Sequence, residues 1–316
     1  MEVPRKIQLT GRNTFIVSLP HSWITQRGVS KGDALYFKDN SDGTLTISLR
    51  QAGKEQRNCV LEVTEGAGEA TMRNIVSAYV GGADRITLHG RDIATIAEEA
   101  RRLLSGVEIT EERENEIVLR VLPFENLDID GVIGRAFNVT NSMFGLAIGA
   151  CRNGTDVLTE IGRKEDDVDR LYLLVLRDLC IGGYSGKESV FKAITAKSVE
   201  KVSDHLEDVC SAGKSVMPNP HLAALLEKAS AAYTAAYKAF SSGSQDAGAY
   251  EKAAREYLAQ LDRVEAALKK EKNPSRMLAM RSLAEKCTKV LRYSNDIMES
   301  GNDLAFANME TAPAKG

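Results

Sequence analysis

Six carboxylates at helical spacing are the residues of this chain best arranged for chemistry. Glu200, Asp204 and Asp208 follow one another at four-residue intervals. At about 100° per residue, such positions drift by only about 40° and stack on one helix face. Val199, Val202, Leu206 and Val209 fall on the opposite side. An earlier segment repeats the device with Glu165 and Asp169, turned away from Val168, Leu171 and Val175, with Asp166 beside them. Like charges at this spacing repel by roughly 0.2–0.5 kcal/mol per pair, and a face that only solvates alternates more often with Lys or Arg. Carboxylates stacked on two neighbouring helices instead suit a hard cation, which removes the repulsion and prefers oxygen ligands. A plain solvated face is the competing reading of the same stripes.

The elements that must carry these residues read as follows. From Asp128 onward the pattern is helical, with breaks at Gly154, Gly182-Gly183, Pro218 to Pro220, residues 241–248 and Asn273-Pro274. They cut the segment into helices over roughly 130–152, 155–181, 187–213, 220–240, 249–271 and 275–301. Asp169-Arg170-Leu171 returns as Asp262-Arg263-Val264 after 93 residues, and Ser203-Asp204 as Asn295-Asp296 after 92. Near-equal offsets predict a duplicated unit, two tandem three-helix bundles over 128–216 and 217–305, with a frayed tail at 306–316. In the second copy Arg292 replaces Glu200, Ser300 replaces Asp208 and Leu258 replaces Glu165. Asp296 and Asp262 remain, so the pattern predicts a site in the first bundle and a degenerate one in the second.

Residues 56–124 alternate between strand and helix signals in the order β-α-β-α-β-β, a small α+β spacer with no phosphate loop or catalytic cluster. Residues 1–51 form a β module. Strands over 6–10 and 14–19 flank Gly11-Arg12-Asn13, a helical turn over 22–27 ends at Gly28, and a second hairpin pairs 34–38 with 44–49. So small a module buries too little surface to stand alone, and an interlaced dimer is the usual remedy. The fold class expected is thus multidomain α+β: a swapped-hairpin β module, a small α+β domain, and an all-α half.

Composition excludes several classes. Of 316 residues, 43% are hydrophobic and 27% charged, ordinary globular values. The longest apolar run, near residues 143–151, is far short of the ~20 residues of a membrane span, and no basic-then-apolar leader opens the chain. A soluble, cytoplasmic protein is expected. The five cysteines are scattered with no C-x-x-C pair, the pattern of reduced thiols. Residues 1–50 carry +3 and the remainder −6, so the basic module expects an anionic partner. Enzymatic readings find little support. No Glu-x-x-His pair marks a diiron bundle, no Gly-x-Ser-x-Gly elbow is present, and His205 points about 100° away from Asp204. It is expected as a surface or partner histidine, and the protein as a non-enzyme.

Two resemblances follow from these residues. The run RKIQLTGRNTFIVSLP at 5–20, with Trp23 and VSKGD at 29–33, resembles the SpoVT/AbrB swapped-hairpin DNA-binding domain. The segments EDDVDRLYLLVLR at 165–177 and SVEKVSDHLED at 198–208 resemble the PhoU family of phosphate-uptake regulators. The combination looks like archaeal-type PhoU regulators with an N-terminal AbrB-like domain.

The PhoU resemblance implies a regulator of phosphate homeostasis whose Glu/Asp-x-x-x-Asp elements hold metal ions (iron, zinc, nickel or magnesium). By position it points to Glu165, Asp169, Glu200 and Asp204, with Asp166 and Asp208 as neighbours. It also implies contact with a phosphate sensor kinase or a phosphate transporter. The AbrB resemblance implies a homodimer that presents Arg5, Lys6 and Arg12 to DNA, with Asn13 and Thr14 as hydrogen-bonding helpers. The alternative is an adaptor whose N-terminal module only dimerises.

Overall fold

A computed structural model of the chain describes residues 4–11, 13–39, 44–49, 57–124, 127–182, 184, 186–243 and 247–307. The chain separates into two compact units, Met1–Glu55 and Gln56–Gly316.

In the first unit, β1 (Gln8–Thr10) and β2 (Thr14–Ile16) form an antiparallel hairpin with Thr10 opposite Thr14. The tight reversal uses Gly11 at φ +65°, a conformation only glycine adopts without strain. Both strands are shorter than the alternation predicts, because residues 6–7 and 17–19 pair with no described strand. Helix α1 (His21–Arg27) ends at left-handed Gly28 as expected, and β3 (Tyr36–Asp39) pairs antiparallel with β4 (Leu45–Ser48). No described residue of this unit is buried.

The second unit opens with β5 (Asn58–Glu62), α2 (Gly68–Val80), β6 (Arg85–His89), α3 (Ile93–Leu103), β7 (Val107–Arg113) and β8 (Glu116–Val121). The sheet order is β5-β6-β8-β7. The parallel β5/β6 pair requires the α2 crossover, while β7 and β8 form the expected hairpin and β8 slots beside β6. Ile86, Leu88, Ile117 and Leu119 pack one sheet face against Ile75 and Tyr79 of α2 and Ala97 of α3.

Six helices follow: α4 (Ile129–Asn153), α5 (Leu158–Ile181), α6 (Gly186–Gly213), α7 (Pro220–Ser242), α8 (Gly248–Leu268) and α9 (Pro274–Ala307). Local chemistry sets their ends. Asp128 caps α4 through Gly131 N, and Gly154 at φ +69° terminates it. The Asp156 carboxylate then accepts from Leu158 N, which starts α5 three residues later than the periodicity suggests. Asn219 caps α7 through His221 N and Leu222 N, with Pro220 in the first turn. Asn273 caps α9 through Ser275 N and Arg276 N. Helix α9 runs six residues past its expected end, since nothing between Met298 and Leu304 breaks the helix. At Gly301 a Cβ would stand 2.6 Å from the Phe240 backbone, so glycine lets α7 and α9 approach.

The helical half has one continuous core. Val168 and Leu171 of α5, Val202 and Leu206 of α6, Tyr233 of α7, Tyr257 of α8 and Val290 of α9 belong to a single buried cluster. The two three-helix groups, read as separate bundles in the sequence, share their interior. The α+β segment is also welded on. Leu173 of α5 joins its core, and Tyr172 packs against both clusters. Arg177, 5% exposed, donates to Tyr79 O at 2.5 Å and Ala83 O at 2.9 Å and stacks over the Tyr79 ring at 4.9 Å.

Candidate metal centre

Helices α5 and α6 pack against each other, with Val168, Leu171 and Val175 of α5 and Val199, Val202 and Leu206 of α6 in the shared core. Glu165, Asp169 and Asp204 come together there, each offering a carboxylate oxygen within 4.8 Å of the others. All three are half-buried. Among the described residues no second group of three His, Cys, Asp or Glu ligands converges in this way.

The electrostatics are those of an under-neutralised anionic site. Burial, then the charges of Asp169, Asp204, Asp166 and Glu207, push the Glu165 carboxyl up to about 8. Burial and the charges of Glu200 and Asp204 raise Asp169 to about 6, against the opposing pull of Lys197 and Lys201. Both groups resist ionisation because a second negative charge in partly desolvated space is costly.

The six carboxylates predicted as ligands divide by surroundings. Glu165, Asp169 and Asp204 form the cluster. Glu200 adjoins it and is 7% exposed. Its Oε1 accepts from Lys197 at 2.8 Å and from Lys201 at 3.4 Å. Its Oε2 is buried with no partner among the described residues. Asp166 is exposed and contributes only its field. Asp208 sits on the same face but bonds Lys286 of α9 at 2.5 Å, and that pairing holds its carboxyl below the usual range despite partial burial.

Three participants escaped the sequence reading. Lys201 lies 2.5 Å from Asp204 Oδ2 and is the nearest internal counter-ion. Lys197 joins Glu200 to the Tyr172 ring, 4.6 Å below its ammonium. Glu207 adds negative potential from α6. The three-residue spacings Lys197/Glu200, Lys201/Asp204 and Asp204/Glu207 were the available signals. His205, expected as a surface or partner histidine, is mostly covered. Its side chain is 13% exposed, stacks on Tyr293 and has Nδ1 3.5 Å from Asp208 Oδ2.

The residues fit a cation. Three carboxylates from two rigid helices, a buried carboxylate oxygen lacking a donor beside them, and raised carboxyl pKa values all describe a place where positive charge is favoured. The donor set at the cluster is all carboxylate oxygen, the ligand type that hard cations prefer.

In the N-terminal unit Arg5 and Lys6 are exposed just before β1, while Asn13 and Thr14 are exposed at the turn and the start of β2. Arg12 lies outside the described residues. Phe15, Phe37 and Leu9 are 72%, 60% and 60% exposed on the same small unit. No described helix is long and apolar enough to cross a membrane. Compared with known proteins, the chain matches no family model, no curated protein and no solved structure.

Proposed function

We propose that this chain is a cation-binding regulator of phosphate homeostasis that acts as a dimer and reaches DNA through its N-terminal unit. The observation that carries the reading is the convergence of Glu165, Asp169 and Asp204 beside the orphaned Glu200 Oε2. A hard divalent ion such as magnesium would supply the missing positive charge and tie α5 to α6. The link to phosphate rests on the PhoU-like sequences at 165–177 and 198–208, which place the clustered carboxylates on these helices.

The N-terminal unit supports the second half of the reading. A module that leaves Leu9, Phe15 and Phe37 in water is incomplete by itself. A second copy with the same apolar surface closes it by pairing hairpins, as the AbrB-like sequence implies. Arg5, Lys6, Asn13 and Thr14 would then stand twice on one dimer, as exposed donors for phosphates and base edges. The same exposed side chains also favour a second reading, in which the unit only dimerises and the helical half docks on a phosphate sensor kinase or transporter.

Fluorescence anisotropy of the full chain with its own upstream DNA and a scrambled control separates the two. Binding that prefers the upstream fragment and weakens steeply with salt supports a direct gene regulator. No binding at low salt, with magnesium present, overturns the DNA assignment and leaves the adaptor.

A further inference from the structure

The duplicated helical unit keeps one charge and inverts another. In the first copy Lys197 and Glu200 stand three residues apart on α6 and pair at 2.8 Å. The equivalent positions 92 residues later are Lys289 and Arg292 on α9, two cations at the same spacing. Both are exposed, and neither has a carboxylate within 4 Å among the described residues. Their neighbour Lys286, by contrast, is paired with Asp208 at 2.5 Å. Like charges three apart on a helix repel. At the 92-residue offset a lysine recurs, and a second base stands where the first group of helices has an acid.

These two side chains line an open cleft of about 560 Å³ along α9, together with Tyr250 of α8, Tyr293 and Asn295. The Tyr250 hydroxyl is anchored on Leu291 O at 3.3 Å, and the Asn295 amide donates to Glu299 at 2.7 Å with a second N–H left over. The lining contains one acid, Asp296, whose carboxyl burial and Glu299 hold above the ordinary range. A guanidinium with its planar fork, an ammonium and an amide N–H make a donor-rich site for tetrahedral oxygen anions.

We propose that the α8–α9 cleft at Lys289 and Arg292 binds a phosphate-type oxyanion, the charge-inverted counterpart of the cation site on α5 and α6. The inference stands on residues separate from the acidic cluster, so each site can fail without the other. It also gives the second copy a role that its loss of carboxylates would otherwise leave unexplained.

The test is isothermal titration of the full-length protein with inorganic phosphate at constant ionic strength, with AMP as a second arm. The paired protein is Arg292→Glu, which restores the lysine–acid arrangement of the first copy and so preserves helix stability. The wild type is expected to bind one phosphate per chain, with affinity weakened about tenfold or more in Arg292→Glu, the scale of a lost charge-assisted hydrogen bond. Lys289→Gln, which removes the second cation without adding an acid, should weaken binding in the same direction. AMP binding with the same variant dependence would mean that the site reads a phosphoryl group carried on a larger molecule. Absence of saturable binding in either arm overturns the proposal. So does equal affinity in wild type and both variants, which would place the anion elsewhere, for instance on the basic N-terminal unit. Magnesium titration of the same samples reports the acidic cluster independently and should be unchanged in both variants.

Discussion

Lys201 Nζ lies 2.5 Å from Asp204 Oδ2, so the protein supplies part of the positive charge that its acidic cluster lacks. The same ammonium reaches Glu200 Oε1 at 3.4 Å, and these two carboxylates hold the lysine strongly protonated despite partial burial. A cation arriving between Glu165, Asp169 and Asp204 must displace or share this internal counter-ion.

Replacing Lys201 with Met therefore separates two effects. The cation-free protein should lose stability, because Asp204 and Glu200 lose the ammonium that bonds them. Affinity for a divalent ion should rise, because Asp204 is released to the site. Calorimetric titration and thermal melts of Lys201→Met with and without magnesium check both signs. Weaker ion binding in this variant would mean that the lysine orients the site rather than competing for it.

Cation binding should strengthen with pH across the window set by the raised carboxyls. Asp169 titrates near 6 and Glu165 near 8, so binding at neutral pH must expel protons, mainly from Glu165. Without the ion, the stability contribution runs the other way. An acid whose native pKa is raised keeps a proton that the unfolded chain releases, so its contribution is intact below the ordinary carboxylate range and is lost as pH rises toward about 8. Titrations in buffers of different ionisation enthalpy count the protons released. A pH-independent affinity between 6 and 8 would contradict the placement of Glu165.

Arg177 should prove a structural anchor between α5 and the α+β segment. Its guanidinium donates to two carbonyls, Tyr79 O and Ala83 O, and is 3.4 Å from Asp84. Arg177→Ala strands those acceptors and should cost about 3 kcal/mol in chemical denaturation. Lys at this position should rescue little, since one ammonium cannot reproduce the planar fork.

Self-association should depend on the apolar face of the first unit. Phe15→Ser changes a side chain that is 72% exposed and so costs the isolated chain little. Each buried phenylalanine contributes about 2 kcal/mol, so the dimer dissociation constant in sedimentation experiments should rise by about tenfold or more. An unaltered dimer would move the interface to another surface.

The sequence made the helices and the acidic stripes readable because both rest on short-range periodicity and capping chemistry. Gly154, Asn219 and Asn273 mark helix ends in the structure as they do in the sequence. The four-residue spacings put Glu165 with Asp169 and Glu200 with Asp204 on their faces before any packing is known. Tertiary distance was not readable. Asp208 obeys the same spacing as Asp204, yet α9 brings Lys286 to it and removes it from the cluster. His205, expected as a surface or partner histidine, stacks on Tyr293 of the same distant helix. The shared core of the two three-helix groups and the burial of Leu173 in the α+β segment depend likewise on contacts far apart in the chain.

The most direct measurement is equilibrium dialysis of the full-length protein against magnesium and manganese, followed by elemental analysis. Wild type is set beside a variant carrying Asp169→Asn and Asp204→Asn, substitutions that keep shape and remove charge. Stoichiometric ion in the wild type, lost in the double variant while circular dichroism stays unchanged, is the predicted result. Equal ion content in both proteins, or none in either, would contradict a cation site between α5 and α6.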